Sequence, residues 1–198
     1  MKRYSFCLLF FSILFACNSK EDYYSTPIFS KKGIVNAVIE IPAGTNAKYE
    51  YDNTLKDFVI DQENGVNRII DFVPYPANYG FVPSTLSDES KGGDGDALDI
   101  LVLSESYKTG TIVEVLPIAI LKLIDKEEED YKIIAIPYDK DKRILDASSY
   151  SELQKSYPAV IQILELWFLN YNKKDKALIK GWGNEQEALK EIKQAVKK

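Results

Sequence analysis

Gly92-Gly93-Asp94-Gly95-Asp96-Ala97-Leu98-Asp99 leads straight into Ile100-Leu101-Val102-Leu103, so three carboxylates fall within six residues at the mouth of an apolar run. The run reads as a buried strand with Asp99 at its start, and Gly92, Gly93 and Gly95 allow the irregular backbone that brings Asp94 and Asp96 toward the same point. Carboxylates about 4 Å apart repel by about 1 kcal/mol in water and about 4 kcal/mol at an effective dielectric of about 20, so a cation is expected among them. Donors that are all oxygen favour a hard divalent ion, Mg²⁺ first. A solvated acidic turn readily explains a single Asp-Gly, but not three carboxylates in register with one strand. A calcium loop begun at Asp94 would place Glu105 at its twelfth position but Leu98 and Asp99 at its fifth and sixth, where an oxygen donor and a glycine are needed.

Composition narrows the chemistry further. The 198 residues, 45% of them apolar, suit one domain with a substantial core. There is no histidine, and the two cysteines, Cys7 and Cys17, lie near the amino terminus. Histidine-dependent nucleophiles, histidine or cysteine metal sites and a disulfide framework are therefore excluded from the main body. A net charge of -5 argues against a nucleic-acid partner. Lys2 and Arg3 precede an apolar run from Phe6 to Phe15, too short to span a bilayer and shaped like a secretory signal. Leu14-Phe15-Ala16-Cys17 resembles a bacterial lipobox. The expected organisation is a lipoprotein-type signal over 1–17, a polar tether over 18–30 and one domain over 31–198, exported and held in the bacterial cell envelope by lipid on Cys17.

Along the domain, Val35 to Ile41 alternates around Glu40 and stops at Pro42, which predicts a strand carrying one carboxylate. Lys48 to Tyr51 and Phe58 to Ile60 are short strand candidates; Asn64-Gly65 signals a hairpin turn, with Arg68 to Val73 as the partner strand. Pro74 to Gly80 reads as a rigid loop whose tyrosines pack on the core. Thr111 to Ile124 predicts a long strand bent at Pro117, and Tyr131 to Ile136 its return. Between them Asp125 to Asp130 makes a charged turn, ordinarily a solvated hairpin tip, but able here to close a metal site opened by Asp94, Asp96 and Asp99. The pattern then turns helical: a short helix over Ser151 to Ser156, a longer one from Pro158 to about Tyr171, and a last one capped by Asn184 and Glu187 and reaching Val196. Many short strands followed by helices predict an α+β domain built on a small barrel.

Asp94-Gly95-Asp96-Ala97-Leu98-Asp99-Ile100 resembles the acidic signature of the family I soluble inorganic pyrophosphatases. The likeness runs from about residue 34 to 196 and includes Ile39-Glu40-Ile41-Pro42, Lys48-Tyr49-Glu50, Asn78-Tyr79-Gly80, Asp125, Asp130, Lys132 and Tyr171. It implies a five-stranded OB-like β-barrel with additional strands and two C-terminal helices, homo-oligomeric assembly, and hydrolysis of inorganic diphosphate to two phosphates with several Mg²⁺ ions. By resemblance Asp94, Asp99, Asp125, Asp130 and Glu40 belong to the metals, Asp96 is the general base for a metal-activated water, and Lys48, Arg68, Tyr79, Lys132 and Tyr171 contact phosphate. Two departures stand out. Asn172 follows Tyr171 where the family has lysine, leaving Lys173 as the substitute, and Arg68 needs a one-residue gap to reach its family position. The alternative is an envelope-anchored lipoprotein that binds diphosphate or phosphate on the same fold without catalysis.

Overall fold

The computed structural model describes residues 20–174 and 176–197; the signal segment and Cys17 lie outside them. Strand β1 (Val35–Ile41) is followed by two short ribbons, β2 (Tyr49–Asp52) with β3 (Asp57–Ile60) and β4 (Gln62–Glu63) with β5 (Val66–Asn67). Then come β6 (Asn78–Phe81), β7 (Asp99–Val102), β8 (Ile112–Asp125), β9 (Glu128–Glu129) and β10 (Lys132–Pro137). Helices α1 (Tyr150–Ser156) and α2 (Pro158–Asn170), strand β11 (Leu178–Asn184) and helix α3 (Glu185–Gln194) complete the chain.

Strands β1, β6, β7, β10 and β8 are joined in that order, and β1 pairs back onto β8, so five strands close a ring. Of these pairs only β7 with β10 is parallel. Side-chain alternation along the strands divides the core in two. Ile100 and Val102 of β7 and Ile133 and Ala135 of β10 pack with Ala188 and Ile192 of α3. Their neighbours Leu101, Ile134 and Ile136 pack under Leu153 of α1 and Leu164, Trp167 and Phe168 of α2. Each such buried aliphatic contributes about 1.5–3 kcal/mol, which gives the strands that carry the site a stiff base. Pro117 leaves β8 continuous but shifts its register against β10 between Ile134 and Ala135. Pro158 opens α2 at a position where a missing N–H costs nothing, and Asn184 caps α3 in a full capping box with Glu187.

Four expectations are corrected. Arg68 to Val73 forms no strand; Arg68 donates its N–H to the Asp61 carbonyl and accepts from Lys48, Ile70 donates to the Asn46 carbonyl, and Ile69, Phe72 and Val73 stay exposed. Asn78 to Gly80, expected in a loop, lies in β6, and Gly80 is needed there because a Cβ would meet the Val38 carbonyl at 1.9 Å. Val196 lies beyond α3, in a bridge to Thr85. In the stretch expected as a tether over 18–30, Lys20 Nζ already donates to the Leu55 carbonyl at 3.0 Å, the Glu21 carbonyl accepts the Tyr51 hydroxyl, Ile28 is buried, and the Asn36 amide donates to the Pro27 carbonyl.

Candidate active site

Two acidic segments far apart in sequence are stapled to each other. Glu129 donates its N–H to the Gly92 carbonyl at 2.6 Å, and a parallel bridge joins Gly93 to Glu129. Gly92 and Gly95 have φ of 92° and 83°, the left-handed region that L side chains avoid, and a Cβ on Gly93 would lie 2.4 Å from Ser87 Oγ. Ser87 in turn donates its N–H to the Asp96 carbonyl and accepts from Gly95, at 2.7 and 2.8 Å. The loop that sequence alone leaves irregular is thus fixed at both ends.

The parallel pairing of β7 with β10 sets Lys132 opposite Asp99. Lys132 donates to both Asp99 and Asp130, and the Tyr79 hydroxyl donates to the same Asp99 carboxylate. Desolvation alone would pull the Lys132 ammonium down, but Asp99 and Asp130 outweigh it and hold it above its ordinary value. Burial pushes Asp99 up to about 6 against the pull of Lys132. Glu40, 7% exposed on β1, accepts the Tyr51 N–H at 2.8 Å; burial still pushes it up to about 8. Asp96 is raised by burial and then by the charges of Asp94 and Glu50. So a cation does stand among the aspartates, but one ammonium does not neutralise them.

Around these groups lies a cavity of about 470 Å³. Its wall carries eight carboxylates: Asp94, Asp96, Asp99, Asp125, Asp130, Glu40, Glu50 and Glu128. Facing them are four cations, Lys48, Arg68, Lys126 and Lys132. Lys48 donates to Glu50 and lies 3.5 Å from Asp61, and Arg68 donates to Asp61 at 2.5 Å, so both phosphate candidates are held by carboxylates. Tyr79, Tyr75, Trp167 and Tyr171 form a column of rings along one side, with centroids 4.6–5.4 Å apart and Tyr171 stacked on Trp167.

Every residue named from the sequence as metal-binding, catalytic or phosphate-binding lines this cavity except Lys173. Lys173 bonds instead to Asp71 at 2.5 Å, in an exposed pair. The helix ends at Tyr171 as expected, but the chain beyond it follows the exposed 68–73 loop rather than turning into the cavity. Glu50, Glu128, Asp61 and Tyr24 were not singled out as site residues; Glu50 sits within the quoted Lys48-Tyr49-Glu50 triplet, while nothing in the local pattern marks Tyr24. Among the described residues no three carboxylates already form a cluster able to hold an ion, since Asp99 and Asp130 are both turned onto Lys132. The donor set nonetheless fits hard divalent cations: all oxygen, twice as many acids as bases, and room for ions that take part of their shell from substrate and water.

A family model described as inorganic pyrophosphatase matches residues 37–198. An inorganic pyrophosphatase of Sulfolobus acidocaldarius is 37% identical over 170 residues, covering 83% of this chain and 91% of that protein. One from Nostoc is 32% identical over 179 residues, covering 89% and 98%. The crystal structure of inorganic pyrophosphatase from Thermus thermophilus matches with a TM-score of 0.76 at 29% identity, over 89% of this chain and 97% of that one.

Proposed function

Since the chain belongs to the inorganic pyrophosphatase family and hydrolyses inorganic diphosphate, we propose that Asp96 is the general base of its reaction and that Mg²⁺ is the metal on which this metal-dependent family member runs. Asp94, Asp99, Asp125 and Asp130 hold the ions, with Glu40 in support; the surplus of acid around the cavity is the observation that carries this reading. Bound Mg²⁺ supplies positive charge against phosphoryl oxygens and makes a nearby water more acidic. Asp96 takes the proton of the attacking water, a task helped by the raised proton affinity that burial and Asp94 give it. Attack is in line at one phosphorus, and the bond to the bridging oxygen breaks. Lys48, Arg68 and Lys132 hold the oxygens of the leaving phosphate by charge-assisted bonds, with Tyr79 and Tyr171 as further donors. The test is phosphate release from diphosphate by the chain freed of residues 1–17, with and without Mg²⁺. Release that needs the ion supports the scheme; tight binding without release would leave the binding-only alternative.

The amino terminus belongs to the same proposal. Lys2, Arg3, the apolar run to Phe15 and the residues before Cys17 support export and lipid attachment at Cys17. Assembly into a homo-oligomer is supported by Ile163 and Leu166, which leave an apolar face of α2 exposed. Membrane release by Cys17→Ser and sedimentation of the soluble chain test the two points separately.

A further inference from the structure

Residues 21–29 precede the stretch that the family model matches, yet one of them, Tyr24, lines the cavity. A single 3-10 turn, Tyr23–Ser25, lies across the open side of the β2/β3 ribbon. Polar bonds fasten it along its length. The Glu21 carbonyl accepts the Tyr51 hydroxyl at 2.9 Å, Asp22 pairs with Lys56 at 2.9 Å, and Ser84 Oγ donates to the carbonyls of Tyr24 and Thr26 at 3.1 and 2.9 Å. Ser84 holds φ of 55° to do so, a conformation uncommon for serine.

The two tyrosines of the turn do different things. Tyr23 meets Tyr51 and Phe58 edge-on, with centroids 5.2 and 4.9 Å away, and does not line the cavity. Tyr24 lies against Tyr51 at 5.2 Å and Phe81 at 4.9 Å, and its other side lines the cavity beside Glu40, Glu50, Asp96 and Asp99. Tyr51 gives its N–H to Glu40, and Ala97, the residue after Asp96, packs into the same cluster. Tyr24 therefore packs on Tyr51, whose N–H Glu40 accepts, and shares with Ala97 the cluster of Val38, Tyr51 and Phe81.

We propose that Tyr24 is a positioning residue of the diphosphate site: its ring, brought in by the amino-terminal strap, fixes Tyr51 and the Ala97 end of the acidic loop and so sets Glu40 and Asp96 for the reaction. This rests on the roles given to Glu40 and Asp96 above. The ring does the positioning, so the hydroxyl is dispensable and the methylene-to-ring contacts are not.

The test uses the full chain with Tyr24→Ala, Tyr24→Phe and Tyr23→Ala. Displacing reacting groups by about 1 Å costs up to about 100-fold in rate, so Tyr24→Ala should lower kcat about 10- to 100-fold with a smaller change in KM. Tyr24→Phe should keep most of the rate. Tyr23→Ala, which loses comparable ring contacts on the same strap, should lower thermal stability without a matching fall in kcat. Backbone hydrogen exchange at Tyr51, whose N–H Glu40 holds, should speed up in Tyr24→Ala and not in Tyr24→Phe. Equal effects of Tyr24→Ala and Tyr23→Ala on kcat, or a Tyr24→Ala enzyme with full rate, overturn the inference. Glu40→Gln separates the premises: if it cripples turnover while Tyr24→Ala does not, only the positioning role falls, and if neither matters, the reading of Glu40 falls with it.

Discussion

On the acidic side of the cavity, Asp99 and Lys132 face each other across the parallel pair β7 and β10, each strand buried on both faces, and the Lys132 side chain is 4% exposed. On the cationic side, Lys48 and Arg68 stand at the ends of two-stranded ribbons outside the ring, and the Arg68 side chain is 32% exposed. The first arrangement is fixed by core packing before any ligand arrives. The second is fixed by the carboxylates of Glu50 and Asp61, the latter shared by both cations, and can re-form around a phosphate. Damage to the acidic side should therefore be severe and damage to the cationic side graded.

The largest effect expected is from removing the metal. Excess chelator should abolish phosphate release, because eight carboxylates against four cations leave the cavity without the charge diphosphate needs. Undiminished hydrolysis in chelator would sink the metal assignment. Next, Asp96→Asn should lower kcat by about 10²- to 10⁴-fold while Mg²⁺ affinity stays near normal. Calorimetric titration reads the affinity, and a parallel loss there would make Asp96 a ligand. Third, Lys132→Met should destabilise the metal-free protein by about 3–5 kcal/mol, the cost of stranding buried carboxylates without their partner. Urea unfolding measures it, and added Mg²⁺ should return part of the loss, since ligand at about 100 times its Kd adds about 2.7 kcal/mol. A Lys132→Met protein as stable as the parent would show that the acidic side is not held as described.

The same contrast decides how far the chain could be read without coordinates. The acidic side was legible because its signals are local: a run of alternating or continuously apolar residues marks β1, β7, β8 and β10, and the carboxylates sit at their ends. What was not legible depends on contacts between distant segments. Arg68 to Val73 looks like a strand, but Ile69, Phe72 and Val73 find no sheet to pair with and remain exposed. Asn78 to Gly80 looks like part of a loop because Gly80 weakens a strand pattern, although that glycine is what lets β6 approach β1. Strand β11, with Gly181 and Gly183 and a half-exposed face, pairs only with β8 and shows no alternation to read. Tyr23 and Tyr24 are two rings in a polar stretch, and only the cluster of Tyr51 and Phe81 gives them meaning.

The smallest effects should fall at the end of α2, where lysine is replaced by Asn172 and sequence points to Lys173 as the substitute. Lys173 and its partner Asp71 are both well exposed, and an exposed ion pair of this kind adds little to anything it is not touching. Arg68 is the nearer cation: it lines the cavity, and its guanidinium is one carboxylate away from Lys48. A charge-assisted contact contributes about 1.5–3 kcal/mol, or about one to two powers of ten in kcat/KM, and partial exposure places Arg68 toward the lower end. Arg68→Ala should therefore cost about tenfold in kcat/KM for diphosphate, while Lys173→Ala and Lys174→Ala should each change it little. If Lys173→Ala instead matched Arg68→Ala, the salt bridge to Asp71 would have to open when substrate binds, and the cationic side would be more mobile than its ribbons suggest. If Arg68→Ala had no effect either, Lys48 and Lys132 alone would carry the leaving phosphate, and the boundary between a fixed and an adaptable side would run through Lys48.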